Sequence, residues 1–381
     1  MDKYLKNYGQ WIDETWDKLD KKLSKVAVKS REKIPYTTVD GVHDNRGETD
    51  PSWWTNGFWG ALMWIMYIGT KNDVYKDTAV RAEELLDAAF DKFDGLHHDV
   101  GFMWNISSGT NYRLFGDKEA KKRWDYANAL LASRFNAEGG FVRAWPSWGE
   151  NADNTGVTII DCMMNIPMLY RASVLAKDDR FKFIAETHAR MTMRDHIRPD
   201  GSVHHIVRHD PHTGDVVENI AGQGYAVGSS WSRGQAWAVY GFVLSYLHTQ
   251  NEEYLDVAKK VAHYFIANVA ATDYLPLVDF RSPDEPVMYD STAGACAACG
   301  LIEIARCVPE HEKKIYIDAA MKMLVAIEKE WCNWEENEDA VLMMGTEAYH
   351  KEDGHHIPII YGDFFFAEAL LKLKGNDFLI W

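Results

Sequence analysis

Hydrophobic residues recur along most of this chain with a spacing close to 3.6, the period of an α-helix. We predict twelve helices, over residues 6–27, 55–69, 73–93, 100–110, 117–135, 156–175, 179–194, 231–249, 252–269, 291–307, 310–331 and 361–375. Strand signals are few and short: Val203–Arg208 faces Asp215–Asn219 across a turn, and Val341–Met344 is a further candidate. The pattern therefore predicts an all-α protein with a few short β-hairpins.

The predicted helices are of two kinds, which alternate along the chain. One kind is amphipathic with charged faces, as in residues 74–93, and the other is apolar on all sides, as in residues 54–67. A helix that is hydrophobic all round is buried, whereas an amphipathic helix is peripheral. The apolar segments begin at Trp54, Leu96, Thr155, Ser229, Asp290 and Tyr361.

This alternation predicts a closed barrel of six helical hairpins, with an inner and an outer ring of six helices each. A superhelical stack of helix pairs would share the pattern, but a set of six pairs can close into a ring. No Pro-, Gly- or Ser-rich linker divides the chain, so we expect residues 1–381 to form a single domain. Unusual polar and aromatic residues cluster where the inner helices begin, so these helix ends should line one cleft.

One carboxylate, Asp161, lies inside the most apolar of these segments, between Ile159–Ile160 and Cys162–Met164. Burial disfavours the charged form of a carboxyl group, which suits a residue that must donate a proton near neutral pH. The alternative is a structural aspartate that hydrogen-bonds to the backbone or to Asn165, one helical turn further on. From this segment alone, both interpretations stay open.

Composition narrows the classes of function. The chain has 41 basic and 57 acidic residues and a formal charge of −16, so its surface should repel nucleic acid and anionic membranes. The first 25 residues are charged and lack an apolar signal region, and no run of 18 apolar residues is uninterrupted. We therefore expect a cytoplasmic protein without a membrane span. The five cysteines, including the pair Cys296 and Cys299, fit reduced structural thiols.

Tryptophans and acids dominate the predicted cleft, and the chain contains fifteen tryptophans. Flat indole rings stack on sugars, and carbohydrate-cleaving enzymes use pairs of carboxylates, although tryptophan also fills wide cores. Asp99 is the second acid, within His97-His98-Asp99. We interpret it as a partner of Asp161 rather than a metal ligand, because adjacent histidines on a helix cannot both face one ion.

Arg233 and Trp237 lie four residues apart and share a helix face near a predicted helix start. An arginine at this place can hold an anionic carboxylate, helped by the helix dipole. A salt bridge to an acid of the barrel explains Arg233 equally well. His204 and His205 lie on the predicted hairpin, where a histidine can reach a ligand or simply be solvated.

Six motifs together resemble the unsaturated glucuronyl hydrolases, which are enzymes with a barrel of six helical hairpins that act on products of polysaccharide lyases. The motifs are WTNGFW at 54–59, LHHDVGF at 96–102, IIDCMMN at 159–165, SSWSRGQAWAVYGF at 229–242, DSTAGACAACGLIE at 290–303 and YGDFFFAEALL at 361–371. The resemblance implies that Asp161 is the general acid/base and Asp99 its partner. The implied substrate-contacting residues are Trp54, Trp145, His205, Gln223, Trp231, Arg233, Trp237 and His350.

The resemblance also implies the reaction. The substrate is an unsaturated uronyl oligosaccharide whose C4=C5 bond is hydrated, with no metal or other cofactor. Residues 348–357 contain Lys351 and three histidines but no serine, which puts a preference for sulfated sugars in doubt. Alternatives are an ordinary inverting glycosidase that uses Asp99 and Asp161, an unsaturated rhamnogalacturonyl hydrolase, and a non-catalytic sugar-binding protein. The sequence does not determine the oligomeric state.

Overall fold

A computed structural model describes residues 2–147 and 152–381 of the chain. Twelve α-helices of eight or more residues lie within these ranges. They are α1 (Gly9–Lys29), α2 (Phe58–Thr70), α3 (Asp73–Leu86), α4 (Ser108–Phe115), α5 (Lys118–Ser133), α6 (Pro167–Ala176), α7 (Asp179–Asp195), α8 (Ser232–Thr249), α9 (Glu252–Val269), α10 (Ser291–Cys307), α11 (Lys313–Trp331) and α12 (Ile360–Leu373).

Shorter helical segments extend or connect these helices. The four-residue α-helical segments are Asp2–Leu5, Arg46–Thr49, Ala88–Asp91 and Cys162–Asn165. The 3₁₀ segments are Phe93–Gly95, Ala270–Thr272 and Glu352–Gly354, and Gly101–Asn105 forms one turn of π-helix. The predicted helix 100–110 is therefore a π-helical turn followed by α4.

The inner helices form a closed ring. α2 packs on α4, the π-helical turn packs on Cys162–Asn165 and α6, and α6 packs on α8. The ring continues from α8 to α10 and from α10 to α12, and it closes where α12 packs on α2. The predicted barrel is confirmed, and the superhelical stack is excluded, because a stack has two free ends.

Each inner helix pairs with one outer helix. Five pairs are consecutive in sequence: α2 with α3, α4 with α5, α6 with α7, α8 with α9, and α10 with α11. The sixth pair joins α12 to α1, so the two helices most distant in sequence form one hairpin. Inner helices are apolar on all sides because they contact both the ring and the outer layer, as α10 illustrates with every residue from Ser291 to Ala305 buried.

Short antiparallel strands lie on the connections between helices. Strands β1 (Thr38–Val39) and β2 (Val42–His43) form one pair, and β3 (Phe135–Asn136) and β4 (Phe141–Val142) form another. Strands β5 (Val157–Ile159), β6 (Ile206–His209) and β7 (Val216–Ile220) form a three-stranded sheet with β6 in the centre. The predicted hairpin is confirmed as β6 and β7, whereas Val341–Met344 forms only an isolated bridge between Leu342 and Cys332.

The prediction of one helix over residues 156–175 is wrong. Residues 157–159 are strand β5, and helix begins only at Cys162. The error arises because a three-residue apolar strand followed by an apolar helix has no break in its hydrophobic pattern. The five cysteines carry free thiols, with Cys162, Cys296 and Cys299 buried. None of the helices in the described ranges has the length and apolar character needed to cross a bilayer.

Candidate active site

Asp161 lies at a junction between a strand and a helix, rather than inside a helix. It lies shortly after β5 and is the N-cap residue of the helical segment Cys162–Asn165. The backbone N–H of Ile160 donates to the carbonyl of His205 at 3.0 Å, which continues the pairing of β5 with β6. The sheet therefore brings Asp161 beside His205.

Asp99 reaches the same place from a different connection. It occupies a turn that leads directly into the π-helical turn Gly101–Asn105. Single π-helical turns occur frequently at functional sites. A side chain at Gly101 would collide with Asn165, since a Cβ atom there would lie 2.6 Å from the Asn165 Oδ1. Glycine at this position lets the turn that carries Asp99 approach the helix that follows Asp161.

Asn165 links the two acids. Its Nδ2 donates to the Oδ1 of Asp99 at 2.9 Å and to the backbone carbonyl of Asp161 at 3.2 Å. Its Oδ1 in turn accepts from the N–H of Phe102 at 2.8 Å, which fixes the orientation of the amide. The predicted hydrogen bond between Asn165 and Asp161 is thus made to the backbone carbonyl of Asp161. The carboxyl group that Asn165 contacts is that of Asp99.

Both carboxylates are mostly enclosed but reachable. The exposed fraction of the side chain is 10% for Asp99 and 9% for Asp161, so each can meet a ligand from one side. Burial, together with the charge of neighbouring Asp161, raises the pKa of Asp99 well above its ordinary value. The raised pKa favours the protonated form of Asp99, which can donate a hydrogen bond.

His205 faces Asp161 with a defined nitrogen. The backbone N–H of Gln223 donates to its Nδ1 at 3.0 Å, so a neutral ring carries its hydrogen on Nε2. That Nε2 lies 3.5 Å from the Oδ2 of Asp161. The indole of Trp231 packs on the imidazole, with 4.1 Å between ring centres. Gly222 permits this arrangement, because a Cβ there would lie 2.2 Å from the Nδ1 of His205.

Of the two interpretations of Arg233, the structure shows the salt bridge to an acid of the barrel. Its NH1 lies 2.5 Å from the Oδ2 of Asp290, and the side chain is buried. Its two terminal nitrogens also donate to the carbonyls of Thr346 and Glu347, each at 2.7 Å. Among the described residues, its Nε has no hydrogen-bond partner. A contact between Arg233 and a substrate carboxylate stays a prediction.

The predicted aromatic residues differ in how far they are enclosed. Trp237 is fully buried between Phe102 and Phe365, with ring-centre distances of 5.3 and 5.5 Å. Trp54 is partly exposed and packs on Tyr361 at 5.2 Å. Trp145, also partly exposed, meets the ring of His98 edge-on at 6.3 Å. The structure thus places Trp54 and Trp145 at accessible positions and Trp237 beneath them.

The remaining predicted residues lie further towards the rim. The Nε2 of Gln223 donates to the carbonyl of Glu347 at 2.6 Å. His350 is exposed, and its Nε2 lies 2.7 Å from the carbonyl of Tyr225. Lys351, a candidate for sulfate binding, pairs with the Glu347 carboxylate at 2.6 Å. Sequence reasoning missed Tyr361, a buried tyrosine between Trp54 and Arg233, although the motif at 361–371 contains it.

The prediction that helix geometry keeps a metal away from Asp99 is wrong. His97, His98 and Asp99 are not in a helix, and each can place one ligand atom within 4.8 Å of the others. Burial lowers the pKa of His97 to about 3 and that of His98 well below its ordinary value, so both rings are neutral. That the reaction requires no metal stays a prediction.

Two enclosed carboxylates among tryptophans, held in a barrel of six helical hairpins, are the residue types that a glycoside hydrolase uses. No protein-family model matches the chain. The unsaturated glucuronyl hydrolase of Bacillus sp. strain GL1 is 35% identical over 334 residues, which are 86% of this chain and 88% of that protein. The unsaturated chondroitin disaccharide hydrolase of Streptococcus pneumoniae is 32% identical over 379 residues, 98% of this chain and 93% of that protein.

Solved structures agree with this similarity. The crystal structure of the unsaturated glucuronyl hydrolase from Bacillus sp. GL1, described as responsible for the degradation of glycosaminoglycan, matches with a TM-score of 0.88 and 31% identity. The match covers 94% of this chain and 97% of that one. The chain belongs to the unsaturated glucuronyl hydrolase family, and it is a glycoside hydrolase.

Proposed function

We propose that this enzyme removes a 4,5-unsaturated uronic acid from the non-reducing end of oligosaccharides made by polysaccharide lyases, with glycosaminoglycan disaccharides as the main substrates. The observation that carries the proposal is the meeting of Asp161 with Asp99 and His205 in one enclosed site. The names of the relatives, which specify unsaturated chondroitin disaccharide and glucuronyl substrates, support the substrate class. A cytoplasmic location stays a prediction.

Asp161 performs both proton transfers in the proposed mechanism. Its carboxylic acid donates a proton to C4 of the enol ether, and the positive charge that develops is shared by C5 and the ring oxygen. The resulting carboxylate then removes a proton from water, which adds at C5. The hemiketal opens and expels the remaining sugar without attack at C1. The acid thus returns to its protonated form at the end of each cycle.

The neighbours of Asp161 support this sequence of steps. The Nε2–H of His205 lies 3.5 Å from the Oδ2 of Asp161, and neither atom has a hydrogen-bond partner among the described residues, so both can bind the attacking water. Asp99, whose raised pKa favours the protonated form, can donate a hydrogen bond to a ring hydroxyl. Trp54 and Trp145 offer partly exposed rings for the sugar faces.

The first test follows the ultraviolet absorption of the conjugated C4=C5 bond in an unsaturated chondroitin or hyaluronan disaccharide. We expect the protein to abolish this band, and we expect Asp161→Asn to reduce the rate by at least about 100-fold while binding is retained. Asp153→Asn is a matched control, because Asp153 is an exposed aspartate shortly before β5.

Two outcomes would contradict the proposal in different ways. If several unsaturated disaccharides kept their absorption band, the proposed reaction would be wrong. If Asp161→Asn turned over substrate at nearly the wild-type rate, the reaction would stand, but another residue would supply the proton.

A further inference from the structure

A chain of buried polar side chains contacts the strands β5 and β6, which adjoin Asp161 and His205, and the proposed mechanism does not use it. It begins at Asp195, whose Oδ2 lies 3.0 Å from the Nε2 of His209. The Nδ1 of His209 lies 3.4 Å from the hydroxyl of Thr158, and that hydroxyl lies 2.9 Å from the Nε2 of His196. Thr158, His196 and His209 are buried.

The direction of the central hydrogen bond follows from the partners of His196. Burial lowers the pKa of this histidine to about 3, so its ring is neutral and carries one hydrogen. Its Nδ1 lies 2.9 Å from the carbonyl of His204, which can only accept, so the hydrogen is on Nδ1. The Nε2 is therefore an acceptor, and the hydroxyl of Thr158 donates to it at 2.9 Å, closer than the carbonyl of Val207, which lies 3.2 Å from the same hydroxyl.

Both residues of this hydrogen bond are connected to the active site: Thr158 through the chain, and His196 through the backbone of His204. Thr158 is the central residue of β5, three positions before Asp161. His196 holds the residue before His205 at two points, since the N–H of His204 donates to the His196 carbonyl at 2.8 Å and the His204 carbonyl accepts from the ring. The bond thus joins the segment that ends in Asp161 to the segment that leads into His205.

The two faces of β5 have different roles. Val157 and Ile159 pack into a small apolar cluster with Ile206, on the face opposite to Thr158. Apolar packing alone tolerates small displacements of a strand, whereas a buried hydrogen bond has a narrow range of length and angle. The backbone pairing of β5 with β6 sets the register of the two strands, and the hydroxyl of Thr158 adds a directional side-chain bond to it.

We propose that Thr158 and His196 are positioning residues, whose buried hydrogen bond acts together with the backbone pairing of β5 and β6 to fix the placement of Asp161 relative to His205. The inference rests on the proposed function of Asp161. A displacement of reacting groups by a fraction of an ångström slows proton transfer with little effect on substrate binding. Loss of the bond should consequently lower kcat and leave KM nearly unchanged.

The test compares Thr158→Val, which keeps the shape of the side chain and removes the hydroxyl, with Thr158→Ser, which keeps the hydroxyl. We expect Thr158→Val to lower kcat about 10-fold or more with KM within about 3-fold of wild type, and Thr158→Ser to restore most of kcat. Thr192→Val is the control, because Thr192 is equally buried, but within the described part of the chain its hydroxyl bonds only the His188 carbonyl in its own helix. It should lower Tm and leave kcat unchanged.

A second variant keeps the proposal testable should Thr158→Val fail to fold. His196→Asn retains a donor near the position of Nδ1 and removes Nε2, so it should lower kcat as Thr158→Val does. The double variant should lose no more than either single one, because both remove the same bond.

The inference is overturned if Thr158→Val or His196→Asn has wild-type kcat, or if Thr158→Ser is as slow as Thr158→Val. Failure of the wild-type protein to consume the unsaturated disaccharide would instead contradict the proposed function, so the two failures are distinguishable.

Discussion

Asp99 illustrates how surroundings assign different tasks to two identical side chains. Asp99 and Asp161 lie in one site, but Asn165 treats them differently. Its Nδ2 donates to the side chain of Asp99, whereas from Asp161 it bonds the backbone carbonyl. The raised pKa of Asp99 favours its protonated form, in which it can act as a donor. A uronate bound nearby adds another negative group, and like charges favour protonated carboxyl groups. The site thereby retains protons for an acid-catalysed step.

We predict that chelation leaves activity unchanged. A metal binds the anionic form of a carboxyl group, which the raised pKa of Asp99 disfavours, and the Oδ1 of Asp99 already accepts from Asn165, so the cluster of His97, His98 and Asp99 is poorly suited to a metal. Turnover of the unsaturated disaccharide should be the same before and after dialysis against EDTA, with elemental analysis of the protein as a control. Loss of activity that one divalent metal restores would contradict this prediction.

For single residues, the sequence predicts which side chains carry the chemistry better than it predicts which partners those side chains contact. Asp161 stands out as a lone acid in an apolar run, and the number of tryptophans already indicates a sugar site. The partners of these residues are set by long-range pairing, such as that of Ile160 with His205, which no local pattern records. For the same reason the salt bridge between Arg233 and Asp290 was only one of two open interpretations.

Among the helices, one buried acid joins the first two hairpins of the barrel. Glu83 in α3 accepts from the Nε1 of Trp64 in α2 at 2.9 Å and from the Nδ2 of Asn111 in α4 at 3.2 Å. Arg123 in α5 lies 3.8 Å away. Burial outweighs these donors and raises the pKa of Glu83 from 4.5 to about 7. Four helices are thus tied to a group whose charge changes near neutral pH.

This pKa makes the stability of the barrel depend on pH. Between pH 4.5 and 7 the folded protein keeps a proton on Glu83 that the unfolded chain has lost, so the free energy of unfolding decreases as pH rises through this window. The expected decrease from this group is about 3 kcal/mol. In Glu83→Gln, which has no charge to bury, this part of the pH dependence should disappear.

Urea unfolding at several pH values, with wild type and Glu83→Gln measured side by side, checks the prediction. Glu84→Gln is the matched control, because Glu84 is exposed on the same helix. Parallel pH profiles for wild type and Glu83→Gln would show that another group causes the dependence.

Element prediction succeeded where a segment is long. The helices α7 to α12 lie within a few residues of their predicted positions, since each repeats the helical period over at least three turns. β5 was missed because it has three residues, and the π-helical turn was missed because its apolar pattern is that of an α-helix. These two segments adjoin Asp161 and Asp99, so local prediction failed where the site is built.

For the whole molecule, the alternation of apolar and amphipathic helices was sufficient to predict the closed ring. It did not reveal that α1 completes the sixth hairpin with α12, because sequence order suggests that hairpins join consecutive helices. That residues 1–381 form a single domain stays a prediction, and the continuity of one core through all twelve helices supports it.

We therefore predict one cooperative unfolding transition. Leu19→Ala in α1 and Phe265→Leu in α9 each remove a fully buried group from a different part of the ring. Each should destabilise the whole barrel, Leu19→Ala by about 3 kcal/mol, and shift a single calorimetric peak to lower temperature. Two separate peaks, of which each variant moved only one, would show that the chain contains more than one folding unit.

The pairing of α1 with α12 also constrains how the protein is made. When α1 leaves the ribosome it can pack on α2 and α3 soon afterwards, but the part of its surface that faces α12 has no partner until residues 360–373 have been translated. The ring can close only after that point, so the nascent chain exposes an apolar surface throughout most of its synthesis. Ribosome-associated chaperones bind such surfaces. The yield of folded, active protein should therefore depend strongly on these chaperones, whereas the stability of the folded barrel should not.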